Sequence, residues 1–178
     1  MWREFHSVNL NYFQIFELET KFNVDLATLE SNYRKIQSAS HPDRFVTATS
    51  TEKLASMQTA TLANEAYQTL KSPTLRAAYL LGLQGINAIT ETSTAMPVDF
   101  LMQQMEWREA VEDNATNLSG MHRLLRNIKQ ETITLQQALA DELDAKQAWQ
   151  AAAETLRKLQ FMDKLREEIA RKLEILED

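Results

Sequence analysis

The chain has no cysteine, only three glycines and three prolines in 178 residues, and no long apolar run. Without cysteine there are no disulfides, thiolate zinc sites, cysteine-ligated iron–sulfur clusters or cysteine nucleophile. That also fits a reducing compartment. Scarce glycine and proline, with plentiful Ala, Leu, Gln and Glu, favour long helices over strands and turns. No stretch approaches the roughly 20 apolar residues of a membrane span. The opening MWREFHSVNL carries Glu4 and lacks an apolar run of signal-peptide length. The expectation is a soluble cytoplasmic protein that does not engage a membrane. An excess of basic charge is missing too: the net charge is −6, which argues against a nucleic-acid binder.

What is present is 44% hydrophobic residues, enough for a packed core. The charge is unevenly placed. Residues 1–96 carry 8 basic and 9 acidic side chains, whereas residues 97–178 carry 11 and 16. Within 97–118, Arg108 stands against Asp99, Glu106, Glu109, Glu112 and Asp113.

The pattern predicts helices throughout. Residues 11–18 read as a first short helix with Asn11 as its cap, and Asp25 caps a second over about 25–39. In the latter, Leu26, Leu29, Tyr33 and Ile36 share one face. Pro42 ends it and pushes His41 toward extended angles, with a Thr- and Ser-rich loop to follow. A third helix spans about 51–70, its inner face traced by Leu54, Met57, Ala60, Asn64 and Tyr67. Ser72-Pro73 signals a fourth over 73–83. Residues 86–96 lack a helical stripe and read as a connection. Pro97 opens a helix to about 116, broken by Leu118-Ser119-Gly120. Helices of about 120–143 and 146–176 complete the chain. In the last, Ala152, Leu156, Leu159, Met162, Leu165, Ile169, Leu173 and Leu176 step by three or four. The fold class is all-α, ending in an antiparallel three-helix bundle.

The chemistry is concentrated in Ser40-His41-Pro42-Asp43-Arg44-Phe45. Alone, a proline beside an aspartate is an ordinary helix stop, with Asp43 capping local amides. A metal site is a poorer reading. The histidines are His6, His41 and His122, none paired at i, i+4, and His41 with Asp43 offers two ligands at most. No nucleophile-elbow glycines accompany any serine, which leaves little for a hydrolase to work with.

Context adds a third reading. Tyr33-Arg34-Lys35 precedes His41-Pro42-Asp43, and Asn64-Glu65-Ala66-Tyr67 with Leu70 follows it. This order resembles the J-domain of the DnaJ superfamily. Asn11-Tyr12-Phe13-Gln14-Ile15-Phe16, His41-Pro42-Asp43-Arg44-Phe45 and Arg76-Ala77-Ala78-Tyr79-Leu80-Leu81 resemble the HscB family, J-type co-chaperones of iron–sulfur cluster assembly. Phe100-Leu101-Met102 and Arg157-Lys158-Leu159-Gln160-Phe161-Met162-Asp163-Lys164-Leu165 resemble that family's C-terminal domain. Arg44 stands where many J-domains carry lysine. The basic face of the second helix is limited to Arg34 and Lys35.

The resemblance implies a J-domain over 1–84, a connection over 85–96 and a scaffold-binding domain over 97–178. It implies docking on HscA, a DnaK-like ATP-dependent chaperone, whose ATP hydrolysis would be stimulated through Arg34, Lys35, His41, Pro42, Asp43 and Arg44. It further implies an IscU-like iron–sulfur scaffold as cargo, no enzymatic activity, no cofactor and no metal ligands. A J-domain adaptor for a different client is the alternative.

Helical projection at about 100° per residue sorts segment 97–118 into two apolar faces. Phe100, Trp107, Val111 and Leu118 form the core seam. Leu101, Met102 and Met105, flanked by Glu106, Glu109 and Asp113, form a second stripe. A bundle helix needs one such stripe, so the second is a candidate binding surface, unless the protein's own helices cover it. The resemblance assigns it to the scaffold. Phe161, off the stripe of Leu159, Met162 and Leu165, is the candidate joining it from the last helix, or else packs on a neighbour.

Overall fold

The computed structural model describes residues 10–45, 47–87 and 97–177. His6, Val46 and most of the expected connection, residues 88–96, lie outside the described residues. The chain is all-α: the described residues contain helices and turns and no strand. It divides into two compact units, Met1–Leu80 and Leu81–Asp178.

The first unit opens with α1 (Tyr12–Ile15), one turn closed by a capping box in which Asn11 accepts from the Gln14 N–H and the Gln14 side chain accepts from the Asn11 N–H. Helix α1 is shorter than expected because the chain turns at Phe16, and Glu17 adopts a φ of 54°. Asp25 caps α2 (Leu26–Ala39). Thr49 and Glu52 form a second capping box at α3 (Ser50–Lys71). Pro73 then starts α4 (Pro73–Leu83), which runs across the division between the units.

Helices α2 and α3 form an antiparallel hairpin. Tyr33 and Tyr67 stack with ring centroids 4.1 Å apart, and Ser56 Oγ donates to the Ser40 carbonyl at 2.9 Å. The core seals around Phe13, Phe16, Leu29, Ala66 and Leu70, all fully buried. Arg76 is a buried cation whose guanidinium donates to the Leu70 carbonyl and lies 4.9 Å from the Phe22 ring centre. Charge-assisted bonding and a cation–π contact make that burial tolerable.

The inner face expected for α3 needs correction. Leu54 and Met57 are 57% and 65% exposed, and Asn64 is also exposed; Ala63, Ala66, Tyr67 and Leu70 face the core. The Ser56–Ser40 bond places position 56 level with the end of α2. The first turns of α3 therefore run past α2 and meet only the short turn Pro42–Phe45. Leu26, expected on the inner face of α2, sits at that helix's first position and is likewise exposed.

The second unit contains α5 (Val98–Asp113), α6 (Leu118–Ala140), a π turn (Asp141–Ala145) and α7 (Trp149–Glu177). All of the α7 stripe from Ala152 to Leu173 is buried, and Leu176 is half-buried. The corresponding positions of α6 are Met121, Leu124, Ile128, Leu135 and Leu139. Helix α5 ends at Asp113, earlier than expected, and Leu118 begins α6 rather than breaking α5. Leu118 is thus exposed and not part of the α5 seam, where Phe100 and Val111 are buried and Trp107 is half-buried. The reason is local: Asn117 accepts from the Gly120 N–H and caps α6.

Candidate partner-binding surfaces

The loop after α2 is held from beneath. Ser40, buried, donates through Oγ to the Ile36 carbonyl at 2.9 Å, while its own carbonyl accepts from Ser56 of α3. Beyond this anchor, Pro42–Phe45 form one turn of 3₁₀ helix where sequence reasoning expects an open loop. Proline's fixed φ suits the first position of such a turn. The Arg44 N–H closes it onto the His41 carbonyl at 3.0 Å.

Two side chains here face water: His41 is 60% and Asp43 88% exposed. The Asp43 N–H donates to His41 Nδ1 at 3.3 Å, and Asp43 Oδ2 lies 3.6 Å from the same nitrogen. With Nδ1 accepting, the neutral ring carries its proton on Nε2. Beside the turn, Arg34, Lys35 and Arg44 line one shallow depression with Glu30, Ser31 and Ser38. Arg34 pairs with Glu30 one turn back, and Lys35 Nζ donates to Asn32 Oδ1 at 2.9 Å. Both are exposed contacts of small energetic weight.

The second unit carries a different surface. Leu101, Met102 and Met105 are 45%, 58% and 71% exposed, and Glu106, Glu109 and Asp113 are exposed beside them. Phe161 takes the packed alternative: it is half-buried and meets Phe100 edge to face at 5.8 Å. It supports α5 from beneath and borders the stripe. Two residues were not singled out as candidates from sequence. Val98, 70% exposed, extends the stripe by one turn. The signal was available, since Val98, Met102 and Met105 step by four and three. Lys158 lies 5.6 Å from the Phe100 ring centre and shares a hollow with Pro97, Asp99, Met102 and Glu106. No sequence pattern links positions 158 and 100; only the packing of α7 on α5 does.

Among the described residues no group of three or more His, Asp or Glu side chains is placed to hold an ion. No described helix is long and apolar enough to cross a membrane.

Comparison with known proteins gives concordant results. Residues 96–170 match the family model described as the HSCB C-terminal oligomerisation domain. The chain is 43% identical over 173 residues to a co-chaperone protein HscB homolog of Burkholderia multivorans, covering 96% of this chain and 98% of that one. It is 42% identical over 170 residues to the homolog of an Azoarcus species, covering 94% and 96%. Among solved structures, chaperone HscB from Vibrio cholerae is similar with a TM-score of 0.83 at 37% identity, over 94% of this chain and 99% of that one. Human co-chaperone protein HscB is similar with a TM-score of 0.87 at 29% identity, over 92% and 82%.

Proposed function

The chain belongs to the HscB family of co-chaperones, and we propose that it is a cytoplasmic adaptor in iron–sulfur cluster assembly. Its C-terminal domain, residues 97–178, holds an IscU-like scaffold against Leu101, Met102, Met105, Glu106, Glu109, Asp113 and the Phe161 border. Its J-domain, residues 1–84, docks on HscA in the ATP-bound state through Arg34, Lys35, His41, Pro42, Asp43 and Arg44, and stimulates hydrolysis.

The observation that carries this reading is a rigidly founded, solvent-facing His41–Asp43 turn on one unit and an uncovered, acid-rimmed apolar stripe on the other. Pro42 limits backbone freedom and so reduces the entropy lost on docking. His41 Nε2 donates, Asp43 accepts from an arginine or amide, and the three cations of the depression favour an acidic partner surface. On this reading the adaptor lends ATP no catalytic group. It binds one state of the chaperone better than another and so shifts the chaperone toward hydrolysis.

The test is the ATPase rate of HscA with the wild-type chain and with Asp43→Asn, each with and without IscU. The wild type raises the rate. Asp43→Asn loses a charge-assisted bond at the tip, cutting docking by about 10- to 100-fold and abolishing stimulation while the circular dichroism spectrum stays unchanged. Equal stimulation by both proteins overturns the proposed contact.

A further inference from the structure

With no cysteine in the chain, methionine thioether is its only sulfur. The described methionines divide sharply by exposure. Met121 and Met162 are 0% and 1% exposed in the core of the second unit, whereas Met102 and Met105 are 58% and 71% exposed on α5. Met57, on α3 of the first unit, is 65% exposed. Met102 and Met105 stand about one turn apart on the same stripe. Its other apolar members, Val98 and Leu101, are chemically inert. The stripe therefore sets two reactive sulfurs side by side in water, and the core of the same unit shelters two others.

A thioether needs no deprotonation to act as a nucleophile, so access decides its fate. Hydrogen peroxide supplies the oxidant. A sulfur lone pair attacks one peroxide oxygen, the O–O bond breaks, and the departing hydroxide takes the remaining peroxide proton to become water. Each sulfur loses two electrons and gains one S=O bond, which makes a flexible apolar side chain polar. On an exposed face the new oxygen stays hydrated, and the fold loses nothing. A partner that docks there must strip water from a strong acceptor, and an acceptor buried without a donor is costly. The flanking carboxylates of Glu106 and Glu109 are exposed and, when ionised, only accept hydrogen bonds, so they offer the sulfoxides no donor.

We propose that Met102 and Met105 form a reversible oxidation site, at which peroxide turns the stripe polar and so releases the iron–sulfur scaffold. The release rests on the preceding proposal; the oxidation itself does not. A docked scaffold covers both sulfurs, so the site senses oxidant on the free adaptor and blocks its next loading. Methionine sulfoxide reductases, one for each sulfoxide epimer, reverse the change. A dithiol gives up two electrons and becomes a disulfide, the oxygen leaves as water, and the thioether returns.

The test treats the full chain with dilute hydrogen peroxide, removes the oxidant by gel filtration and maps the product by peptide mass. Met102 and Met105 each gain one oxygen while Met121 and Met162 gain none, and the circular dichroism spectrum is unchanged. Calorimetry then shows IscU binding weakened by about tenfold or more, and both reductases with dithiothreitol restore it. Met102→Leu with Met105→Leu, whatever affinity it starts from, no longer responds to peroxide. Met57→Leu leaves the response in place, which separates the exposed methionine of the first unit. A native chain whose Met102 and Met105 oxidise no faster than Met121 and Met162 overturns the site. Undiminished affinity after both have been oxidised overturns the release, and so does a loss that persists when both are replaced. Failure of the scaffold reading is separately visible: the untreated chain then fails to bind IscU and the release falls with it, while the peptide map still decides whether the two sulfurs form the site.

Discussion

Tyr12 shows how one side chain ties distant parts of the first unit together. Its hydroxyl donates to Glu65 Oε1 at 2.7 Å, its backbone N–H donates to Tyr79 Oη at 3.0 Å, and its ring stacks on Tyr79 at 4.4 Å. Burial, reinforced by the bond to the Glu65 carboxylate, pushes the phenol from 10.0 up to about 12. The folded state therefore retains this proton where the unfolded chain has released it. Its contribution to stability is complete below pH 10, declines as pH rises and is gone above about 12. Urea midpoints measured across this range should fall with pH, and Tyr12→Phe should flatten part of that fall. An equally steep decline in the variant refutes the assignment. The caps Asn11 and Asp25 were legible because each acts on a backbone group two or three residues away. The Tyr12–Glu65 and Tyr12–Tyr79 contacts were not, because they span 53 and 67 residues.

Among the elements, the junction of α5 with α6 depends on Gly120. A Cβ there would collide with the side chain of Asn114, whose Nδ2 donates to the Ala110 carbonyl at 2.8 Å and finishes α5. Gly120→Ala forces that side chain aside and should destabilise the protein by about 1–3 kcal/mol despite alanine's better helix propensity. Equilibrium urea unfolding gives the value, and Asn114→Ala in the same chain should recover much of it. No loss of stability in Gly120→Ala removes the close approach as the reason for glycine. Sequence periodicity placed the α7 stripe because that helix packs along nearly its whole length. It misjudged α3 because the packed face is lined largely by the small residues Ala63 and Ala66, beside Tyr67 and Leu70, and the larger Leu54 and Met57 drew the expected stripe to another face. Leu54 lies beyond the end of α2, whereas Met57, one residue past the Ser56 contact, is level with α2 and turned off the face that packs on it.

At the scale of the whole molecule, two units carry separate cores and separate exposed surfaces, so the proposed contacts should fail independently. Met105→Ala with Glu109→Ala removes an exposed apolar side chain and an unpaired carboxylate from α5. Calorimetry should show IscU binding weakened by about 10- to 100-fold, while stimulation of HscA in the absence of IscU is kept. Unaltered IscU affinity withdraws this face as the scaffold contact. Loss of both activities withdraws their independence. The amino-acid sequence by itself determined the all-α class, the helix order, the principal caps and the membership of the HscB family, because these rest on local propensity and short motifs. Only the tertiary structure decided that Phe161 braces Phe100, that Lys158 reaches the same ring and that Val98 extends the stripe into solvent. Burial and pairing depend on what the other helices cover, and that is set by packing between residues far apart in the chain.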